Sequence, residues 1–400
     1  MEIIKLCIKT YDLIDYIYNR SIMLCIYYYK LTISKILFRN NVNKILVIRI
    51  GSLGDVVRST IIIGMLRKKY PKAIIDLLTS DQNIPVVINN TDITTVYTLN
   101  ELYSLKKYDW IVNLQSPDPP IDFFKGTNMG YADLLRYISS HISYRLITGR
   151  YIKNDKEIRM TNILYCNTEV EEILLTALFK YDPNIIYLPN IVLDGDNKLP
   201  GLFDYDLLKN IGKPIVGIFI GTKNNIDRGT RRFTLNYLFS ILDRVVDLYS
   251  VVIIGQFDWM LQSDISEYLD RVKGYNNVID LVDRTNLKEL MYVISRMDVL
   301  ISTDSSPIHI SMGLGTPVIG LYSNSSRFRI SEKNTSKSYI LIDVFKPCFN
   351  YSYRWKFFCD ACMDKHSLAY KCHQKEVINM IDQIPIKQIL ESVDILLNLK

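Results

Sequence analysis

Residues 45–50, Ile-Leu-Val-Ile-Arg-Ile, form an aliphatic run that stops at Gly51-Ser52-Leu53-Gly54-Asp55. A β-branched run bounded by glycine predicts a fully buried strand, since a strand with one wet face alternates apolar and polar residues. From residue 56 to 66 the apolar residues return at helical spacing. Strand, tight turn and helix therefore follow one another, as in the repeating unit of a parallel sheet. Gly51 and Gly54 permit backbone conformations and a close ligand approach that side chains obstruct, and the helix turns its free N–H groups toward the same loop. Asp55 brings a carboxylate to that point, either for a ligand or as a helix cap. The loop is not the dinucleotide fingerprint: it lacks the third glycine, and Asp76, near the expected distance, does not restore it.

The alternation continues along the chain. Strands are expected at 73–78, 96–99 and 110–114, a helical stretch at 169–179, and a Pro/Gly/Asp-rich linker at 188–201. It then restarts with a strand at 215–220, a helix at 235–248, a strand at 251–254, a helix at 287–295, a strand at 299–302, a helix at 307–314 and a strand at 317–321. Two doubly wound halves in succession predict an α/β fold of two Rossmann-like domains facing a cleft, with ligands at the carboxyl ends of the strands. The expected divisions are a helical extension at 1–40, a first domain at 41–205, a second at 206–342, and a cysteine-containing tail with a C-terminal helix at 343–400.

Four hundred residues at 48% hydrophobic content are enough for two cores. A net charge of +6 is moderate. It suits an anionic substrate or membrane surface, and no basic, aromatic-interleaved nucleic-acid module accompanies it. Seven cysteines without the small-residue cleavage site of a signal peptide predict a reducing compartment, the cytoplasm. Residues 1–40 crowd Ile, Leu and Tyr among six basic and three acidic residues. Their longest uncharged run, 21–29, is far short of the ~20 residues a spanning helix needs. They read as amphipathic helices that dock on the protein or a partner subunit, or that lie peripherally on the inner face of the membrane.

In the second half, Thr303-Asp304-Ser305-Ser306-Pro307-Ile308-His309 follows a predicted strand and opens a helix. Hydroxyls, backbone N–H groups and a positive helix end converge there, which is a phosphate-binding arrangement. Asp304 or Ser305 also serves as an N-cap under the structural reading, and Pro307 fits a helix start under either. Gly221-Thr222-Lys223 follows the strand at 215–220, and Arg228, Arg231 and Arg232 precede a helix that Thr234 caps. Arginines offer forked donors to phosphate, and the strand-end position places Lys223 and Arg231 beside Asp304, Ser305, Ser306 and His309. Two such clusters together predict a diphosphate ligand; the alternative for the basic loop is a solvated charge run.

Gly51-Ser52-Leu53-Gly54-Asp55, Gly221-Thr222 before a basic-aromatic pair, and Asp304-Ser305-Ser306-Pro307-Ile308-His309 with Leu314-Gly315-Thr316-Pro317 resemble, in that order, the ADP-heptose:lipopolysaccharide heptosyltransferase family. The resemblance covers roughly residues 44–400. It implies a GT-B glycosyltransferase that binds acceptor in the first domain and ADP-heptose in the second, with inverting transfer that requires no cofactor. Asp55 matches the family's catalytic aspartate, the general base for the acceptor hydroxyl. Gly54, Thr222, Lys223, Arg231, Asp304, Ser305, Ser306 and His309 match donor-binding positions. Ser306 stands where the family usually has glycine, Arg231-Arg232-Phe233 replaces a lysine shortly before tryptophan, and Ser323-Asn324-Ser325-Ser326 replaces Pro-Thr-Asp.

Cys348, Cys359, Cys362 and Cys372 lie in the tail, two of them spaced C-x-x-C. Four thiols can build a tetrahedral, closed site for structural zinc or iron; otherwise they are reduced packing or surface thiols. The resemblance extends to protein heptosyltransferases that modify bacterial autotransporters and hold iron with such cysteines. Lipopolysaccharide inner core is therefore the leading acceptor, an autotransporter protein the second, and a non-catalytic nucleotide-sugar-binding protein the third reading. A homo-oligomer is among the expected assemblies.

Overall fold

The computed structural model describes residues 42–104, 108–114, 188–194, 212–221, 233–258, 260–322, 339–343 and 381–398. The first half contains β1 (Lys44–Ile48), α1 (Leu53–Lys69), β2 (Ile74–Thr79), a 3₁₀ turn (Asp81–Val86), β3 (Thr95–Thr98) and β4 (Trp110–Asn113). The second contains β5 (Ile215–Phe219), α2 (Leu235–Val245), β6 (Ser250–Ile254), α3 (Gln262–Val272), β7 (Val278–Asp280), α4 (Leu287–Ser295), β8 (Val299–Thr303), α5 (Ser306–Leu314), β9 (Val318–Tyr322), β10 (Tyr339–Asp343) and α6 (Ile386–Asn398).

Every described strand pair is parallel. The first sheet runs β3-β2-β1-β4 and the second β10-β9-β8-β5-β6-β7. Strand order therefore reverses next to β1 in the first half and between β5 and β8 in the second. Those reversals open the crevices where parallel sheets hold ligands. β5, β6, β8 and β9 are buried along their whole length, which accounts for their continuous apolar sequences.

One apolar core extends from the first sheet into the second. It includes Val56, Val57 and Ile61 of α1, Ile308, Ile310 and Met312 of α5, and Ile191. Each fully buried aliphatic chain contributes roughly 1.5–3 kcal/mol to this joint. The linker passes through the same joint: the Asn190 N–H donates to Thr60 Oγ1 at 2.8 Å, and the Ile191 N–H to the Gly313 carbonyl at 3.2 Å. Asn90 Nδ2 holds the carbonyl of Asn190 at 3.1 Å.

The C-terminal helix α6 belongs to the second half. Asp382, just ahead of it, accepts from the Thr234 hydroxyl at 2.6 Å and the Thr234 N–H at 3.2 Å, while Tyr249 donates to Asp394 at 2.6 Å. Thr234 caps α2 by accepting from the Tyr237 N–H, as the sequence suggests. Among the described residues no helix is long and apolar enough to cross a membrane.

The helix expected from residue 56 begins at Leu53. Gly54 and Asp55 are weak helix formers, but they lie in the first turn, where Asp55 pairs with neighbours instead of competing for the backbone. Asp76 is no ribose partner in waiting: it is buried and accepts from Tyr108 at 2.8 Å, with Lys44 Nζ at 4.0 Å.

Candidate active site

The loop after β1 delivers Asp55 to the third position of α1, with Ser52 as N-cap. Ser52 caps no backbone group with its side chain. Its hydroxyl instead donates to Asp55 Oδ2 at 2.8 Å. Arg49, at the end of β1, reaches the same oxygen with Nη2 at 3.0 Å, and Arg58, one turn along α1, bonds Oδ1. Arg49 Nη1 also donates to the carbonyl of Leu114, where the chain leaves β4. Partial burial raises the Asp55 pKa, but Arg58 and Arg49, with smaller contributions from Ser52 and His309, outweigh it and bring the carboxyl down to about 2. Asp55 is thus ionised at any physiological pH.

From the other side the loop hangs on the turn after β2. Ser80 Oγ donates to the Ile50 carbonyl at 3.3 Å, and Asn83 Nδ2 to the Gly51 carbonyl at 3.1 Å. Asn83 is fully buried.

The second cluster forms at the switch point of the other sheet. Phe219 of β5 pairs with Ser302 of β8, so Gly221 and the segment from Thr303 to Ser305 emerge side by side. Gly221 has φ 127°, a left-handed conformation that disfavours side chains. Thr303, Asp304 and His309 are buried. Ser305 is the N-cap of α5, yet its hydroxyl donates to the Thr303 carbonyl at 2.9 Å and does not cap the helix. Thr303 Oγ1 is buried with no hydrogen-bond partner among the described residues. Pro307 stands in the first turn and His309 one turn in, as the sequence indicates.

The two clusters meet. A Cβ on Gly54 would lie 3.4 Å from Ser306 Cα, so the first turns of α1 and α5 are in contact, and the His309 charge reaches Asp55. Asp55, Gly54, Asp304, Ser305, Ser306 and His309 therefore occupy one site. Two positive helix ends bordering a single crevice suit an anionic ligand, with a carboxylate beside it.

Residues 260–356 match the family model of glycosyltransferase family 9 (heptosyltransferase). Over those residues the chain carries a glycosyltransferase family 9 domain. Over 324 residues, 77% of this chain and 91% of the other, it is 24% identical to a lipopolysaccharide heptosyltransferase 1 of Campylobacter coli. It is 44% identical to a lipopolysaccharide core heptosyltransferase of Haemophilus influenzae over 55 residues, which span only 16% of that protein. The solved structure of the ADP-heptose lipopolysaccharide heptosyltransferase II of E. coli superposes with TM-score 0.53 at 18% identity, covering 89% of this chain and 98% of that one. The likeness agrees with the expected pair of Rossmann-like halves.

Thr222, Lys223, Arg228, Arg231 and Arg232 lie outside the described residues, as do residues 1–40 and Cys348, Cys359, Cys362 and Cys372. Among the described residues no group of three or more His, Cys, Asp or Glu is placed to hold a metal ion. Sequence reasoning missed Arg49, Arg58, Ser80 and Asn83, which the structure places around the Asp55 loop. Two left a trace: Arg49 interrupts an otherwise apolar strand run, and Arg58 stands three residues after Asp55, on the same helix face.

Proposed function

We propose that this glycosyltransferase moves heptose from ADP-heptose to a hydroxyl of the lipopolysaccharide inner core, with inversion and with Asp55 as general base. The observation that carries this reading is the meeting of the two helix N-termini, one bearing Asp55 and the other a phosphate-type cradle at Ser305 and Ser306. The relatives' names supply the sugar and the acceptor class.

In this reading α5 receives the diphosphate, and Gly221 gives it room at the end of β5. The acceptor oxygen attacks the anomeric carbon as the bond from that carbon to the ADP oxygen breaks. Negative charge grows on the departing ADP, where the α5 N-terminus is aimed. A carboxylate near pKa 2 is a poor base for an alcohol, so the proton reaches Asp55 late, after the hydroxyl has bonded to carbon and become acidic. A carboxylate has about four lone-pair positions, and Arg58, Arg49 and Ser52 take three. The remaining one is available for that proton.

A structural zinc or iron at Cys348, Cys359, Cys362 and Cys372, a cytoplasmic or membrane-peripheral location and a homo-oligomer belong to the same proposal. Elemental analysis of the purified chain tests the metal.

The deciding experiment measures ADP release from ADP-heptose with lipopolysaccharide core, with an autotransporter protein, or with no acceptor, in the parent and in Asp55→Asn. Asparagine keeps the side-chain shape and an acceptor oxygen for one of the two arginines, where alanine leaves a cavity. Core-dependent release lost in Asp55→Asn, with ADP-heptose still bound, supports the reading. Release with the protein acceptor alone moves the substrate to protein. Tight donor binding without release under any condition points to the nucleotide-sugar-binding alternative.

A further inference from the structure

We propose that Arg49 is a positioning residue for glycosyl transfer, fixing the Asp55 carboxylate between the ends of β1 and β4 so that it faces the acceptor hydroxyl. The proposal rests on the reading of Asp55 as base.

The geometry separates Arg49 from the other groups around that carboxylate. Ser52 and Arg58 belong to the same helix or its cap, and they move with Asp55 wherever α1 goes. Arg49 does not: it leaves β1, bonds the Leu114 carbonyl at the end of β4 with one nitrogen, and bonds Asp55 Oδ2 at 3.0 Å with another. One planar fork thus ties the helix start to two neighbouring strands, at the place where the strand order turns. Lysine, with a single ammonium on a flexible stem, cannot reproduce that two-point link.

Stability alone does not account for such a group. Arg49 is only 5% exposed, and its Nε is buried with no hydrogen-bond partner among the described residues. A buried ion pair offers little or no stability over well-packed apolar residues of similar volume, and an unsatisfied donor makes the balance worse. What the arrangement does provide is direction. Asp55 is held from the β4 side by Arg49, while Ser80 and Asn83 hold the Ile50 and Gly51 carbonyls from the β2 side. The charged or titratable groups facing Asp55 among the described residues are Arg49 from the end of β1, Arg58 from α1 and His309 from α5.

The test compares Arg49→Lys, Arg49→Met and Asp55→Asn with the parent, following ADP release from ADP-heptose with acceptor across pH, and folding by circular dichroism. Arg49→Lys keeps a cation beside Asp55 and is expected to fold, with kcat lower by roughly 10- to 100-fold and the KM for ADP-heptose within about twofold. In Arg49→Met the loss of one cation raises the Asp55 pKa, and an acid limb absent from the parent profile enters the accessible pH range. Folded variants with the parent's kcat and pH profile, or with a change in KM alone, overturn the proposal. If Arg49→Met does not fold, the kcat and KM of Arg49→Lys decide. If Asp55→Asn turns over like the parent while Arg49 is intact, it is the base reading that fails, and the proposal falls with it.

Discussion

Gly54 lies directly against His309: a Cβ at residue 54 would stand 3.0 Å from the imidazole Cδ2. The helix that carries Asp55 and the helix that opens the phosphate-type cradle touch through this glycine. Their spacing is therefore set by a missing side chain.

Gly54→Ala adds helix propensity of about 1 kcal/mol and at the same time asks a buried ring to yield by a few tenths of an ångström. Its stability is expected to stay within about 1 kcal/mol of the parent, because these terms oppose one another. Gly54→Val gains less helix propensity than alanine does, and its extra methyls overpack against Ser306 Cα at a cost of about 1–3 kcal/mol. Denaturant unfolding of both variants checks the order; equal stability of Gly54→Val and the parent would show that the joint is loose.

Asp55 makes stability depend on pH in a defined direction. Its folded pKa, about 2, lies below the ordinary 3.8, so the ionised group stabilises fully above pH 3.8 and loses that contribution as pH falls through 2. The expected size is on the order of 1–2 kcal/mol, allowing for its partial exposure. The difference in unfolding free energy between the parent and Asp55→Asn should narrow on acidification. A difference independent of pH would mean that the two arginines do not hold the carboxylate in solution.

Asp76 is 1% exposed and its Oδ1 has no hydrogen-bond partner among the described residues, so the Tyr108 hydroxyl on Oδ2 is a large part of its support. Burial, reinforced by the Asp76 charge and hydrogen bond, raises the Tyr108 pKa and keeps the phenol a donor. Tyr108→Phe removes that donor while preserving the ring, and is expected to cost about 1–3 kcal/mol. Thermal unfolding of Tyr108→Phe measures it; an unchanged midpoint would place the burden on Lys44.

Gly315 ends α5 with φ 75°. Alanine there adopts a left-handed conformation at a cost of about 1–2 kcal/mol. No heavy atom of the described residues lies within 4 Å of its Cβ, so the effect is expected to be purely conformational, with Gly315→Asn milder than Gly315→Ala. Equal unfolding midpoints for the two variants would argue against a backbone cause.

Sequence reading was strongest where burial is complete. β5 is apolar throughout, and β8 as far as Ser302, because both faces are covered, and α4 is bounded as its spacing and its Asn286/Glu289 capping box indicate. It failed where elements are half-covered. α3 buries only Tyr268 and Val272 within a polar stretch, and β7 is a three-residue edge strand with no fully buried position, so neither has a legible period. α1 was read three residues short because its first turn owes its form to ion pairs and to contact with α5.

The sequence alone determined the parallel α/β plan, the loop that presents Asp55 and a helix start just after Asp304-Ser305. These follow from local burial patterns, glycine placement and capping, which neighbouring residues encode. The tertiary structure decided that Gly54 meets His309 and that Arg49 joins Leu114 to Asp55. It also decided that the linker threads between α1 and α5. Such contacts join groups 65 to 255 residues apart, and they arise only when two buried sheets bring their strand ends together, because packing and charge pairing act through space and leave no periodic mark along the chain.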